Sequence, residues 1–299
     1  MIELDQVDTW PVQILEILEN RAYYIKDEKE RKEQSLCDGS YILNPVYCRV
    51  YDESVEDLNN ILIKHKIRGY HCTKIINWNG IQRKGLTVLR PQKFQSTLID
   101  ELKSIGIDRV ILEKIKDSFA TFEKNRSFVG REGLLWFVLT KELTEYKWCE
   151  EFFKFFGGEV TRRAVWPVKD IVYPILEKIG IPTVIECGLN ISDAMDFQVI
   201  NICKEMINYG IHKFVFKNAY SLKCEMCVKH DVIPDDIIKI WKKDISWKNY
   251  LSRRYYYMLM KKIENLQAKV LANNFKVSEN VHLWGGADVV ITDAMTKDL

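Results

Sequence analysis

The stretch Arg68-Gly69-Tyr70-His71-Cys72-Thr73 holds the first side chains whose types and spacing could do chemistry. Side chains alternate along a strand, so His71 and Thr73 share one face while Tyr70 and Cys72 take the other. A neutral imidazole offers a donor and an acceptor, and the neighbouring hydroxyl offers both again. A second group lies late in the chain, where Leu222-Lys223-Cys224-Glu225-Met226-Cys227-Val228 precedes Val232-Ile233-Pro234-Asp235-Asp236-Ile237. Glu225 there is a strand carboxylate, able to draw a proton from a nucleophile or to place negative charge beside a developing cation. Glu159, after Gly157-Gly158, and Glu186, inside Thr183-Val184-Ile185-Glu186-Cys187, are reserve catalytic carboxylates. An unpaired carboxylate in an apolar run is costly, so Glu186 either has a partner or belongs to a site.

Each group has a plainer reading. A lone strand histidine is commonly a satisfied structural residue, Glu225 can face solvent on an edge strand, and Trp136 in an apolar run can be core. Cys224-x-x-Cys227 with His230 has the look of a zinc site, but a structural zinc needs four ligands and no second Cys-x-x-Cys exists. On a strand those two cysteines also face opposite ways. No metal is expected. Neither Gly130-Arg131-Glu132-Gly133 nor Gly285-Gly286-Ala287 matches a phosphate-binding glycine loop. The 247–262 stretch mixes lysine and arginine with Tyr255, Tyr256 and Tyr257, which suits either a nucleic-acid surface or a packed helix face.

The elements that must position these groups follow from periodicity. Helices are expected over 11–32, 55–66, 76–84, 94–104, 108–122, 144–156, 168–179, 193–208 and 247–273, with a short one from Pro234 through Trp241. The charged run Asp27–Lys32 reads as a solvated face. Strands are expected at 46–50, 69–73, 134–140, 182–189, 212–217, 220–229 and 289–292. Three regions result: 1–66 mainly helical, 67–245 an α+β core, and 246–299 a helix and strand packing on that core.

Composition narrows the function class. A hydrophobic content of 47% supports a real core and argues against wholesale disorder. With 44 Lys plus Arg against 42 Asp plus Glu, the +2 balance creates no whole-protein field that announces a nucleic-acid partner. No stretch reaches the roughly 18 to 20 apolar residues of a membrane span. The N-terminus lacks a secretory pattern, and the eight cysteines are scattered, so reduced thiols and a cytoplasmic location are expected.

The block Tyr70-His71-Cys72-Thr73, with Ile75, Ile76, Ile81 and Gly85-Leu86 behind it, resembles the first strand and helix of the ADP-ribosyltransferase fold. In the family's His-type branches an H-x-T strand grips the nicotinamide end of NAD. Glu225 and the following Ile233-Pro234-x-x-Ile237 resemble the strand of the family's catalytic glutamate. The resemblance implies an α+β fold with a split mixed or antiparallel sheet, carrying helical N- and C-terminal additions. It implies NAD as substrate, with a nucleic acid or a protein as acceptor, in an enzyme of the kind found in toxins, phage effectors and antiphage systems. Breaking the nicotinamide–ribose bond passes through an oxocarbenium-like transition state, as in glycoside hydrolysis. Glu225 and His71 would be catalytic, with His71 and Thr73 also binding the cofactor. Trp136, where the family places a tyrosine, would stack on nicotinamide, and Arg68, Lys74 and Arg131 are the candidates to meet the pyrophosphate. The same fold also hosts RNA 2′-phosphotransferases, and a scaffold without catalysis would act as a binding or inhibitor protein.

Overall fold

The ten residues Lys66–Ile75 form β1, and burial on both its faces fixes how the rest of the chain is arranged. The structure is a computed structural model that describes residues 1–76, 78–125 and 130–244. β1 is the middle strand of a five-stranded sheet with β2 (Leu135–Val138), β3 (Ile181–Asn190), β4 (Glu225–Val228) and β5 (Ile237–Lys242), in the order β4-β2-β1-β3-β5. Every pairing is antiparallel. The class is thus α+β around one sheet whose strand pairs are all antiparallel, with a single parallel bridge among the described residues, between Ile2 and Ile67 at its edge.

Helices α1 (Val12–Cys37), α2 (Ser40–Leu43) and α3 (Arg49–Leu62) precede the sheet. After β1 come α4 (Trp78–Lys84), α5 (Pro91–Ser104) and α6 (Arg109–Lys124). Between β2 and β3 lie α7 (Lys147–Lys154), α8 (Gly158–Ala164) and α9 (Lys169–Lys178), and α10 (Asp196–Gly210) follows β3. No helix among the described residues is long and apolar enough to cross a membrane.

Two apolar cores result. The larger joins Ile67, Phe137, Ile185 and Met226 of one sheet face to Ile14 and Leu18 of α1, Leu58 of α3, and Ile202 and Met206 of α10. Gly69 lets these layers close, because a Cβ there would stand 2.5 Å from Leu189 Cδ1 and 3.2 Å from Phe137 Cβ. The smaller core gathers Leu102, Phe119, Phe155, Val172 and Leu176 from α5 to α9. Residues 1–66 are mainly helical, as expected, and belong to the same compact unit as the sheet. They close the main core, and Ile2 bridges directly to Ile67. Met1–Asp244 forms one compact unit.

Three expected elements differ. Val46–Val50 is no strand: the chain turns into α3 at Arg49, because the buried Glu28 of α1 accepts hydrogen bonds from the Val50 N–H (3.0 Å) and the Tyr51 N–H (2.9 Å). Glu28 therefore leaves the solvated face that the run 27–32 suggests, and serves two orphan donors of a helix start. Ile211–Phe216 extends α10 as a π-helix instead of forming a strand. Ile237–Lys242 pairs with β3, so the stretch after Pro234 is strand and only Pro234–Asp236 is a helical turn. The helix expected at 247–273 and the strand at 289–292 lie outside the described residues.

Lys74 ties the two cores together. Its buried ammonium donates to the carbonyls of Lys154 (3.2 Å), Leu176 (3.3 Å) and Glu177 (2.5 Å), at the C-terminal ends of α7 and α9. Burial pushes its pKa down, opposed by Glu177.

Replacing Glu28 by Ala strips two charge-assisted bonds from the start of α3. A loss of about 2–4 kcal/mol is expected in urea unfolding, counting about 1.5–3 kcal/mol per bond to a charged group and allowing for partial compensation by water.

Candidate functional site

His71 projects from β1 on the face shared with Thr73, and its ring lies 5.6 Å from that of Phe137. Its Nδ1 is 2.9 Å from the carbonyl oxygen of Trp136. A carbonyl only accepts, so Nδ1 carries the proton and Nε2 presents a lone pair. Burial lowers the His71 pKa below 6.5 and the Trp136 carbonyl partly opposes that shift, which leaves the ring neutral at pH 7.

His71 opens onto a cavity of about 250 Å³ that Thr73, Arg131, Trp136 and Glu159 also line. Five side chains singled out in the sequence, spread over positions 71 to 159, thus meet at one place. Apolar walls come from Phe94 of α5 and Phe152 of α7. A strap, Thr87–Arg90, forms another side and is held at both ends. The Leu89 N–H donates to Leu134 O (3.3 Å) and the Gly133 N–H to Leu89 O (2.8 Å). Leu86 and Val232 exchange two backbone bonds of 2.9 and 2.8 Å. Gly85 precedes the strap at φ +76°, where a Cβ would run into the Val232 carbonyl oxygen, so only glycine fits.

Charge is concentrated on one side. Arg131 Nη2 pairs with Glu159 Oε2 at 2.8 Å, and Arg163 Nη2 with Glu159 Oε1 at 2.5 Å. Two guanidiniums thus grip one carboxylate whose side chain is 15% exposed. The Arg131 guanidinium also lies 4.9 Å from the Trp136 ring centroid, at cation–π distance. Trp136 Nε1 is buried and has no hydrogen-bond partner among the described residues. Arg90 and Lys93 line the same cavity, Arg90 being paired with Asp231 at 3.2 Å. Asp231 also accepts the Val88 N–H at 2.9 Å, fixing the strap and its arginine together. The cavity therefore combines aromatic wall, cations, one carboxylate, a free imidazole lone pair and an unused indole donor. Such a set suits a flat ligand bearing hydroxyls and anionic oxygens.

The expected pairing of His71 with Glu225 does not form. Glu225 lies opposite Val138, and Val138 opposite Tyr70, so Glu225 shares the Tyr70 face and His71 points the other way, with β2 between their strands. Glu225 lines a different cavity. Arg68 does not reach the His71 cavity either. Its guanidinium bridges Glu3 and Glu186, both at 2.8 Å, on the opposite sheet face. That bridge supplies the partner Glu186 needs and assigns it to structure. Cys224 and Cys227 are buried thiols, and His230 Nε2 pairs with Asp193 at 2.8 Å. The described residues hold no cluster able to bind a metal ion.

Arg90, Lys93, Phe94 and Phe152 were not singled out from the sequence. Arg90-Pro91 marks a helix start, but no local pattern says that this start faces a strand histidine. No family model, curated protein or solved structure matches the chain.

As pH falls through the ordinary imidazole range near 6.5, the unfolded chain takes up a proton that folded His71 resists. Stability contributed by the neutral ring is therefore present above that range and is lost as pH falls toward the lowered folded value. His71→Gln is expected to flatten the loss of urea stability between pH 7.5 and pH 5. The oppositely shifted His230 is common to both proteins and cancels in the comparison.

Proposed function

We propose that the His71 cavity binds the nicotinamide–ribose end of NAD and that the chain is an NAD-dependent ADP-ribosyltransferase, its sheet a variant of the fold that the H-x-T strand suggests. The observation that carries this reading is the gathering of His71, Thr73, Arg131, Trp136 and Glu159 around one cavity. In this reading the carboxylate is Glu159 and not Glu225. Departure of nicotinamide leaves positive charge on the ribose carbon and ring oxygen, and a carboxylate nearby lowers that barrier. Arg131 and Arg163 hold Glu159 in one orientation, which avoids reorganisation during the reaction. His71 Nε2 accepts a ribose hydroxyl, with Thr73 beside it. Trp136 flanks the departing ring, and its buried Nε1 donates to a ligand oxygen. Arg131, Arg90 and Lys93 are the cations that line the cavity on the side of the pyrophosphate, the first two while paired with Glu159 and Asp231. The acceptor is a nucleic acid or a protein.

The same three cations favour a second reading, removal of a 2′-phosphate from RNA at the expense of NAD, since that reaction needs several positive groups about a phosphate. Release of phosphate from a short 2′-phosphorylated RNA distinguishes it.

Incubation with labelled NAD and candidate acceptors tests the main reading. Wild-type protein is expected to transfer label, and His71→Ala and Glu159→Gln to lose about 100-fold or more, the usual size for a lost electrostatic or acid–base group. NAD should raise the wild-type melting temperature by mass action. Melting of the variants without NAD separates loss of the Arg–Glu–Arg grip from loss of chemistry. No label transfer and no melting shift at millimolar NAD would sink the reading.

A further inference from the structure

The cavity that Glu225 lines has no role in the reading above. Its volume is about 430 Å³, and it opens beside β4, between the start of α7 and the N-terminal turn of α10. Two aromatic side chains on its rim, Trp148 and Phe197, are 46% and 55% exposed. Tyr146 adds a third aromatic wall. Leaving such rings half in water sacrifices burial that most aromatics gain.

The polar groups of this cavity have unspent capacity. Gln198 is 2% exposed, and its Oε1 accepts the Cys227 N–H of β4 at 3.1 Å and the Met195 N–H at the start of α10 at 3.4 Å, with Cys227 Sγ 3.3 Å away. Its amide nitrogen makes no hydrogen bond among the described residues, and the residue lines the cavity. Asn201, one turn further along α10, is likewise without a side-chain partner there, and so is the Glu225 carboxylate. Lys223 stands two residues from Glu225 on the same side of the chain, its ammonium unpaired among the described residues. Flat apolar walls with an amide donor, an acceptor-only carboxylate and an ammonium at the edge match a nucleobase carrying a phosphate.

The acceptor-only carboxylate selects among bases. It is best satisfied by two N–H donors side by side. Guanine presents its ring N1–H beside its amino group, with O6 next to them as acceptor for an amide. Adenine and cytosine present an amino group without a neighbouring ring N–H, and uracil a ring N–H without an amino group. We propose that this cavity holds an unpaired guanine base, stacked against Trp148 and Phe197, with Glu225 accepting from N1–H and the amino group and the Gln198 amide donating to O6. The base comes from a free nucleotide or from a single strand, and Lys223 takes the phosphate in either case.

The test is a titration of the full chain followed by tryptophan fluorescence and calorimetry, using GMP, AMP, CMP, UMP and short unstructured oligonucleotides that contain either one guanine or none. GMP or the guanine oligonucleotide should bind about tenfold or more tightly than its counterparts, in the range that stacking plus a paired edge supplies. Binding of free GMP identifies a nucleotide ligand, and binding of the oligonucleotide alone identifies a strand; either upholds the site. Glu225→Gln should erase the preference for guanine, and Trp148→Leu should weaken binding about tenfold. Asn201→Leu serves as a second variant should Trp148→Leu melt early. His71→Gln should leave guanine binding intact, and Glu225→Gln should leave any NAD-induced melting shift intact, so the two sites fail or stand separately. Equal binding of all four bases, no binding of any, an unaffected Glu225→Gln protein, or tighter binding of arginine amide than of GMP would overturn the proposal.

Discussion

Everything in the molecule hangs on the alternation of β1. This strand lies in the centre of the sheet with both faces covered, so a side chain cannot change face without dragging its neighbours across a core. One face carries Ile67, Gly69, His71 and Thr73 toward the large helical core and the strap. The other carries Arg68, Tyr70, Cys72 and Lys74. Parity thus puts the imidazole and hydroxyl on one face and the arginine and lysine that brace the structure on the other, while the cavity, which Cys72 and Trp136 also line, opens across both. Arg68 is engaged by Glu3 and Glu186, and Lys74 by three carbonyls. Neither cation is left over for a ligand.

The cavity is assembled from pieces that have little to do with one another in sequence. The strap from Thr87 to Arg90 is pinned by backbone bonds to Gly133–Leu134 and to Val232, and by the carboxylate of Asp231. Glu159 arrives through the turn at Gly157-Gly158, where Gly157 adopts φ +77° and a Cβ would collide with the Thr161 hydroxyl. The glycines these turns require lose more conformational entropy on folding than other residues would. The turns bring a carboxylate and an arginine to within ion-pair distance beside a strand histidine.

Much of this was legible in the sequence and part of it was not, for identifiable reasons. The amphipathic helices and the strands at 66–75 and 181–190 show in apolar periodicity, and the His71-x-Thr73 pairing follows from period two. The choice among Glu159, Glu186 and Glu225 does not. It depends on the register of β4 against β2 and on where Arg68 and Arg131 reach, and register is a property of two segments at once. The run Ile211–Phe216 misleads because β-branched and aromatic residues favour strands, whereas here they continue a helix that packs on α1. Ile237–Lys242 misleads in the opposite direction. The Pro-Asp-Asp start looks like a helix cap, but only one turn forms before the chain meets β3. Glu28 shows that one residue in a charged run can be structural when a neighbouring helix start needs an acceptor.

The buried ammonium of Lys74 has a bearing on how the molecule comes apart. The smaller core, built from α5 to α9, has its own apolar interior and in isolation would be a candidate for separate, local melting. Its detachment, however, would strip the C-terminal carbonyls of α7 and α9 of a shared donor and leave a cation stranded against the sheet. That penalty falls on both layers at once, so it welds them into a single cooperative unit and keeps the walls of the His71 cavity, drawn from both layers, from loosening independently.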